Sequence, residues 1–142
     1  QGKVLYIDQV ESSQSLRVNT EVGFTAPLHC TALGKVLMAW NATEMPVDFP
    51  RATPRTIVDP KMMQFELDKT RSLGYAMDDE EFNLGVRCVA APVIDYRGKV
   101  IGALGVSGPA ARIPIDRIPE MAKRVMAVAQ ALSDRMSFIK QD

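Results

Sequence analysis

The chain has 142 residues, 46% of them apolar, which is the size of one ordinary domain with a single buried core. Seventeen basic residues balance seventeen acidic ones, so there is no net positive field to attract a phosphate backbone, and direct nucleic-acid binding is not expected. No apolar run reaches the ~18 residues of a membrane span, and two separated cysteines, Cys30 and Cys88, make neither a metal motif nor a disulfide framework; a reducing cytoplasm fits best.

The opening Val4 to Asp8 and Ser15 to Thr20 read as strands joined by a polar link, Leu16 and Val18 alternating with polar neighbours. A chain that enters a strand almost at once is expected to be a fragment. Thr31 precedes an apolar run from Ala32 to Ala39 and can cap its first free amides, which predicts a helix ending near Trp40 and Asn41. From Asn41 to Asp59 three prolines and no clean period predict an irregular surface connection. Asp59-Pro60 and Gly74 bracket a helix from Pro60 to about Leu73.

A strand beginning at Tyr75 leads into the acidic run Asp78 to Glu81, of a kind that ordinarily faces solvent. Strands at about Val86 to Ile94 and Lys99 to Ser107 follow, joined by a turn in which Gly98 supplies a positive φ. Last comes a helix whose apolar face includes Ile118, Met121, Ala122, Val125, Val128, Ala129, Leu132 and Met136. Antiparallel strands with flanking helices make an α+β domain.

Pairing Ile94 with Lys99 sets Val86 opposite Ser107, Cys88 opposite Gly105 and Ala90 opposite Ala103, a face of small side chains that leaves a hollow. Leu33 or Trp40 could fill it. Alternatively, it holds a small carboxylate whose charge meets the unpaired amides at the start of the helix after Thr31. The opposite face, with Val89, Ala91 and Val93, reads as ordinary core.

Three segments resemble one known family. Pro27-Leu28-His29-Cys30-Thr31-Ala32-Leu33-Gly34-Lys35 is similar to a PLHxTALGK segment of bacterial regulators of the isocitrate-lyase-regulator (IclR) type. Gly74 to Glu81 followed by Gly85 to Val93 resembles that family's most recognisable signature, and Ser107-Gly108-Pro109-Ala110-Ala111-Arg112-Ile113 its SGPxxRI segment. The resemblance implies a GAF-like effector-binding domain over residues 1–142, an antiparallel sheet flanked by helices. In the complete protein a winged helix-turn-helix domain would precede it, and DNA would be reached only through that missing half. It further implies a homodimer or tetramer, a small organic or aromatic carboxylic acid as effector, and no catalysis, metal or cofactor.

Carried over by position, the effector pocket comprises Ala32, Leu33, Asp78, Val86, Cys88, Gly105 and Ser107. Leu33 is larger than the alanine some members carry and Gly105 stands where serine is common, which favours a less polar acid than glyoxylate or pyruvate. His29, Arg87 and Arg112 are expected in structural roles, the arginines paired with the acidic run. The competing readings are a GAF-like sensor of another regulator class and a GAF-type thiol enzyme using Cys30 or Cys88. The latter lacks a nearby acid–base partner.

Overall fold

A computed structural model describes residues 3–5 and 25–139 of the chain. Strand β1 (Lys3–Leu5) pairs antiparallel with β2 (Thr25–Pro27), and Val4 and Ala26 are buried between them. The expected strand at Ser15 to Thr20 lies outside the described residues; β2 had not been anticipated.

Helix α1 (Ala32–Ala39) begins where Thr31 Oγ1 accepts the Gly34 amide at 3.1 Å and donates to the Pro27 carbonyl at 2.7 Å. One hydroxyl thus caps the helix and fastens it to β2. Helix α2 (Pro60–Leu73) starts from the Asp59 carboxylate, which accepts the Lys61 amide, and stops at Gly74 with φ 88°. Both helices occupy the expected ranges because their end signals are local.

Strands β3 (Ala76–Asp79), β4 (Val86–Ile94) and β5 (Val100–Pro109) form an antiparallel sheet with β4 central. Helix α1 lies on the face carrying Ala76 and Ala90, while α2 packs against α1. The long helix α3 (Ile118–Ile139) lies on the other face over Val89, Ala91 and Val93, which is the face expected to form ordinary core. Ser133 joins α3 to β4: its hydroxyl accepts the Ile94 amide at 2.9 Å and donates to the Ala129 carbonyl.

Three expectations are corrected. Cys88 pairs with Ser107, Ala90 with Gly105 and Val86 with Pro109, two residues away from the register set by an Ile94–Lys99 pair. The Asp95 amide donates to the Lys99 carbonyl, the Asp95 carboxylate accepts the Arg97 and Lys99 amides, and Ile101 is then taken up as a bulge between the pairs Ile94–Val100 and Val93–Gly102. Because the offset is even, the same residues still share a face. On α3, Val128 and Leu132 are exposed whereas Ser133 is buried. The apolar arc is wider than the part of the helix that meets the sheet. Within the irregular 41–59 connection, finally, Thr53 and Thr56 are buried and donate to the carbonyls of Glu80 and Glu81, tying that segment to the acidic run.

Candidate functional site

The antiparallel register aligns Asp78, Cys88 and Ser107 in one row across β3, β4 and β5. In the adjoining row on the same face stand Ala76, Ala90 and Gly105. Over that second row lies the start of α1, with Ala32 and Val36 buried against Ala76 and Ala90. Small residues at all three strand positions are what let a helix approach this closely.

Of the seven expected site residues, six come together around these two rows: Ala32 and Leu33 from the helix, Asp78, Cys88, Gly105 and Ser107 from the sheet. Val86 shares their face but stands one row further out, opposite Pro109. The hollow is partly filled. A Cβ built on Gly105 would lie 3.3 Å from Leu33 Cδ2 and only 2.9 Å from the Val89 carbonyl oxygen. Leu33 thus packs beside Gly105, while Ser107 in the outer row is exposed.

Polar chemistry is concentrated in the outer row. Cys88 Sγ and Ser107 Oγ are 2.6 Å apart. Asp78, 3% exposed, accepts the Glu81 amide at 2.8 Å. Burial, abetted by the Glu81 and Asp79 charges and opposed by that amide and by Lys35, pushes its carboxyl up to about 7. The Cys88 thiol is pushed up to about 12 by burial and by the Asp78 charge, and Cys30 likewise. A thiol so far from ionising is a poor nucleophile. On the first turn of α1, the Thr31 hydroxyl takes the Gly34 amide and the Thr31 carbonyl takes that of Lys35. The Ala32 and Leu33 amides are the two that this cap does not take.

Beneath the site is a feature that sequence reasoning missed. Lys35, with no solvent exposure, reaches Glu66 on α2 at 2.8 Å, Glu81 at 2.9 Å and the Met77 carbonyl at 2.8 Å. Burial pulls its ammonium down, but the Glu81 and Glu66 carboxylates outweigh burial and hold it above the usual lysine range. Glu81 also accepts the Asp79 amide at 3.0 Å, so Asp78 and Glu81 brace each other across the end of β3. The acidic run is therefore half interior: Asp78 and Glu81 are buried, contrary to the expectation of a solvated face. A lysine within an otherwise apolar helix was the available signal.

Arg87 pairs with Asp79 at 2.8 Å and donates to the Ile113 carbonyl at 2.9 Å, the structural role expected of it. His29 is buried; its Nε2 donates to the Pro50 carbonyl at 2.8 Å and its ring packs on Phe49. A separate surface cavity of about 440 Å³ lies between the end of α1 and α2, lined by Met38, Met45, Leu67 and Arg71 among others, and includes none of the seven residues. Among the described residues no group of acidic, histidine and cysteine side chains is arranged to hold a metal ion, and no helix is long and apolar enough to cross a membrane.

Comparison with known proteins agrees with this architecture. The family model "Bacterial transcriptional regulator IclR C-terminal" matches residues 1–134. The chain is 36% identical over 144 residues to the HTH-type transcriptional regulator KdgR of Dickeya chrysanthemi, covering 97% of this chain but 47% of that protein, so it spans about half the length of such relatives. Among solved structures it resembles IclR of Thermotoga maritima, with a TM-score of 0.87, 31% identity and coverage of 95% of this chain and 57% of that one. It also resembles the inducer-binding domain of the PobR transcription factor from Acinetobacter, a double mutant in complex with 3-hydroxybenzoic acid. There the TM-score is 0.73 and the identity 27%, over 84% of this chain and 74% of that one. With a family match over nearly its whole length and the GAF-like α+β fold of those neighbours, the chain belongs to the C-terminal domain family of the IclR-type bacterial transcriptional regulators.

Proposed function

We propose that this domain senses a small carboxylic acid and passes the signal to a DNA-binding half that precedes it in a cytoplasmic, self-associating regulator. The observation that carries the reading is the row Asp78–Cys88–Ser107 set beside the first turn of α1. The effector carboxylate is assigned to the Ala32 and Leu33 amides, which the helix dipole makes attractive to an anion. Ser107 and Asp78 meet a polar substituent, and Val86, Cys88 and Leu33 contact the body of the ligand. Leu33 over Gly105 adds apolar surface where a hydroxyl would otherwise stand. That favours an aromatic or branched acid over glyoxylate, and the 3-hydroxybenzoic acid bound by the PobR domain has this character. Effector binding shifts the equilibrium between arrangements of the full regulator to the extent that it prefers one of them.

The test is a thermal-shift screen of the purified chain against aliphatic and aromatic carboxylic acids, since a ligand of the folded state raises its stability. A saturable shift that Ser107→Ala abolishes is expected. Absence of any shift with a folded protein would overturn the sensor reading, and tight binding of glyoxylate with no aromatic acid would overturn the preference for a less polar ligand.

A further inference from the structure

The turn after α1 builds a cavity in which the effector residues take no part. Asn41 stands in the left-handed region at φ 59°, its amide donating to the Met38 carbonyl and the Ala42 amide to the Leu37 carbonyl at 2.8 Å. That paired cap stops the helix and fixes the direction of the chain that follows. Residues 42–45 then share with the 64–71 stretch of α2 the lining of the cavity of about 440 Å³ described above. Such a volume is in the range of small-molecule sites. The buried Met38 and Leu67 form its floor, with Met45 beside them. Around this apolar floor the charges are unevenly matched. Glu44 makes no hydrogen bond or ion pair with any described residue, and only one oxygen of Asp68 is taken, by Gln64 Nε2 at 3.0 Å. The single cation of the lining, Arg71, donates through Nη1 to the Ala39 carbonyl at 3.2 Å, so it serves the carbonyl end of α1, whose last turn has no basic residue of its own.

We propose that this cavity is a second ligand site, taking a small organic amine whose apolar body rests on Met38, Met45 and Leu67 and whose ammonium meets Glu44 and Asp68. Two carboxylates and the negative end of a helix dipole outweigh one guanidinium, which selects a cation over an acid. A bare metal ion is not the occupant, because no three acidic, histidine or cysteine side chains among the described residues are grouped to hold one. The apolar floor in turn favours an amine with a hydrocarbon body over a simple ammonium ion. The site and the effector pocket then lie at opposite ends of α1, about 12 Å apart along the axis of its eight residues. One short helix thus offers its amide end to an anion and its carbonyl end to a cation, and the two ligands do not compete for the same groups.

Isothermal titration calorimetry of the 142-residue chain at low ionic strength tests it, with benzylamine as the probe and benzyl alcohol as its neutral counterpart of nearly the same size. Benzylamine is expected to bind saturably at one site per chain, about fivefold tighter than benzyl alcohol, as a solvent-exposed charge contact allows. Glu44→Gln and Asp68→Asn should each remove most of that advantage, and Ala42→Trp, whose indole would occupy the cavity, should abolish binding. All three positions are exposed, and circular dichroism checks that each variant is folded. No saturable binding of benzylamine, or binding no tighter than that of benzyl alcohol, would overturn the proposal. Benzylamine binding that persists unchanged in Ala42→Trp and in both carboxamide variants would place the amine elsewhere and overturn it equally.

Discussion

The Lys35 ammonium lies 2.7 Å from Glu81 Oε1 and, with Glu66 2.8 Å away, is a buried cation shared by two carboxylates from different parts of the fold. It joins α1 to α2 and to the loop after β3. Removing it leaves Glu81 in the interior without its partner, which costs far more than the ion pair contributes. Lys35→Met is expected to lower stability by about 3–5 kcal/mol in urea unfolding. Glu66→Gln should cost markedly less, because the Glu66 side chain is 23% exposed and retains water.

Asp78 gives stability a pH dependence of unusual sign for a carboxylate. Its folded value is about 7 against 3.8 for the ordinary group. Between these two values the folded chain holds a proton that the unfolded chain has lost, so stability falls as pH rises from about 4 to 7. Asp78→Asn should flatten that fall by on the order of 2–4 kcal/mol, read from urea midpoints across the range. A variant that follows the wild-type profile would show that Asp78 is ionised in the fold.

Neither thiol should react readily. With Cys30 and Cys88 both pushed up to about 12, the thiolate fraction at pH 8 is roughly 1,000-fold below that of a free cysteine. Ellman's reagent should label the folded chain correspondingly slowly and label both cysteines at once in denaturant.

Gly34 is irreplaceable for reasons of space. A Cβ there would overlap the Leu28 carbonyl oxygen and lie 2.5 Å from Leu28 Cα. Gly34→Ala, helpful in most helices, should here push α1 off the segment leading out of β2 and cost more than about 3 kcal/mol. Thermal unfolding monitored by circular dichroism reads the loss.

Local signals carried the elements well. Thr31, the Asp59-Pro60 pair and Gly74 mark helix ends through bonds made within a few residues, so the starts of α1 and α2 were legible to the residue and their ends to within one or two. Two-residue alternation gave the right sheet faces even though the pairing was displaced by two. What the sequence could not carry was decided by distant partners. The burial of Glu81 depends on Lys35, 46 positions away, and neither residue alone announces the other. Leu33 was named both as a filler of the hollow and as a pocket residue, and only packing shows it set against Gly105. On α3, periodicity reports the width of the apolar arc but not how much of it the sheet meets, which is why Val128 and Leu132 were assigned to the interior.

The bulge at Ile101 separates two design problems that a simple hairpin would merge. In a plain two-stranded ribbon, adding or losing one residue at the tip turns every following side chain of β5 over, sending Gly105 and Ser107 to the wrong side. Here one surplus residue already sits between the tip and the rows that matter. A one-residue deletion in the 95–99 turn can be absorbed by flattening that kink, so the tip can change length while the face carrying Gly105 and Ser107 keeps its orientation.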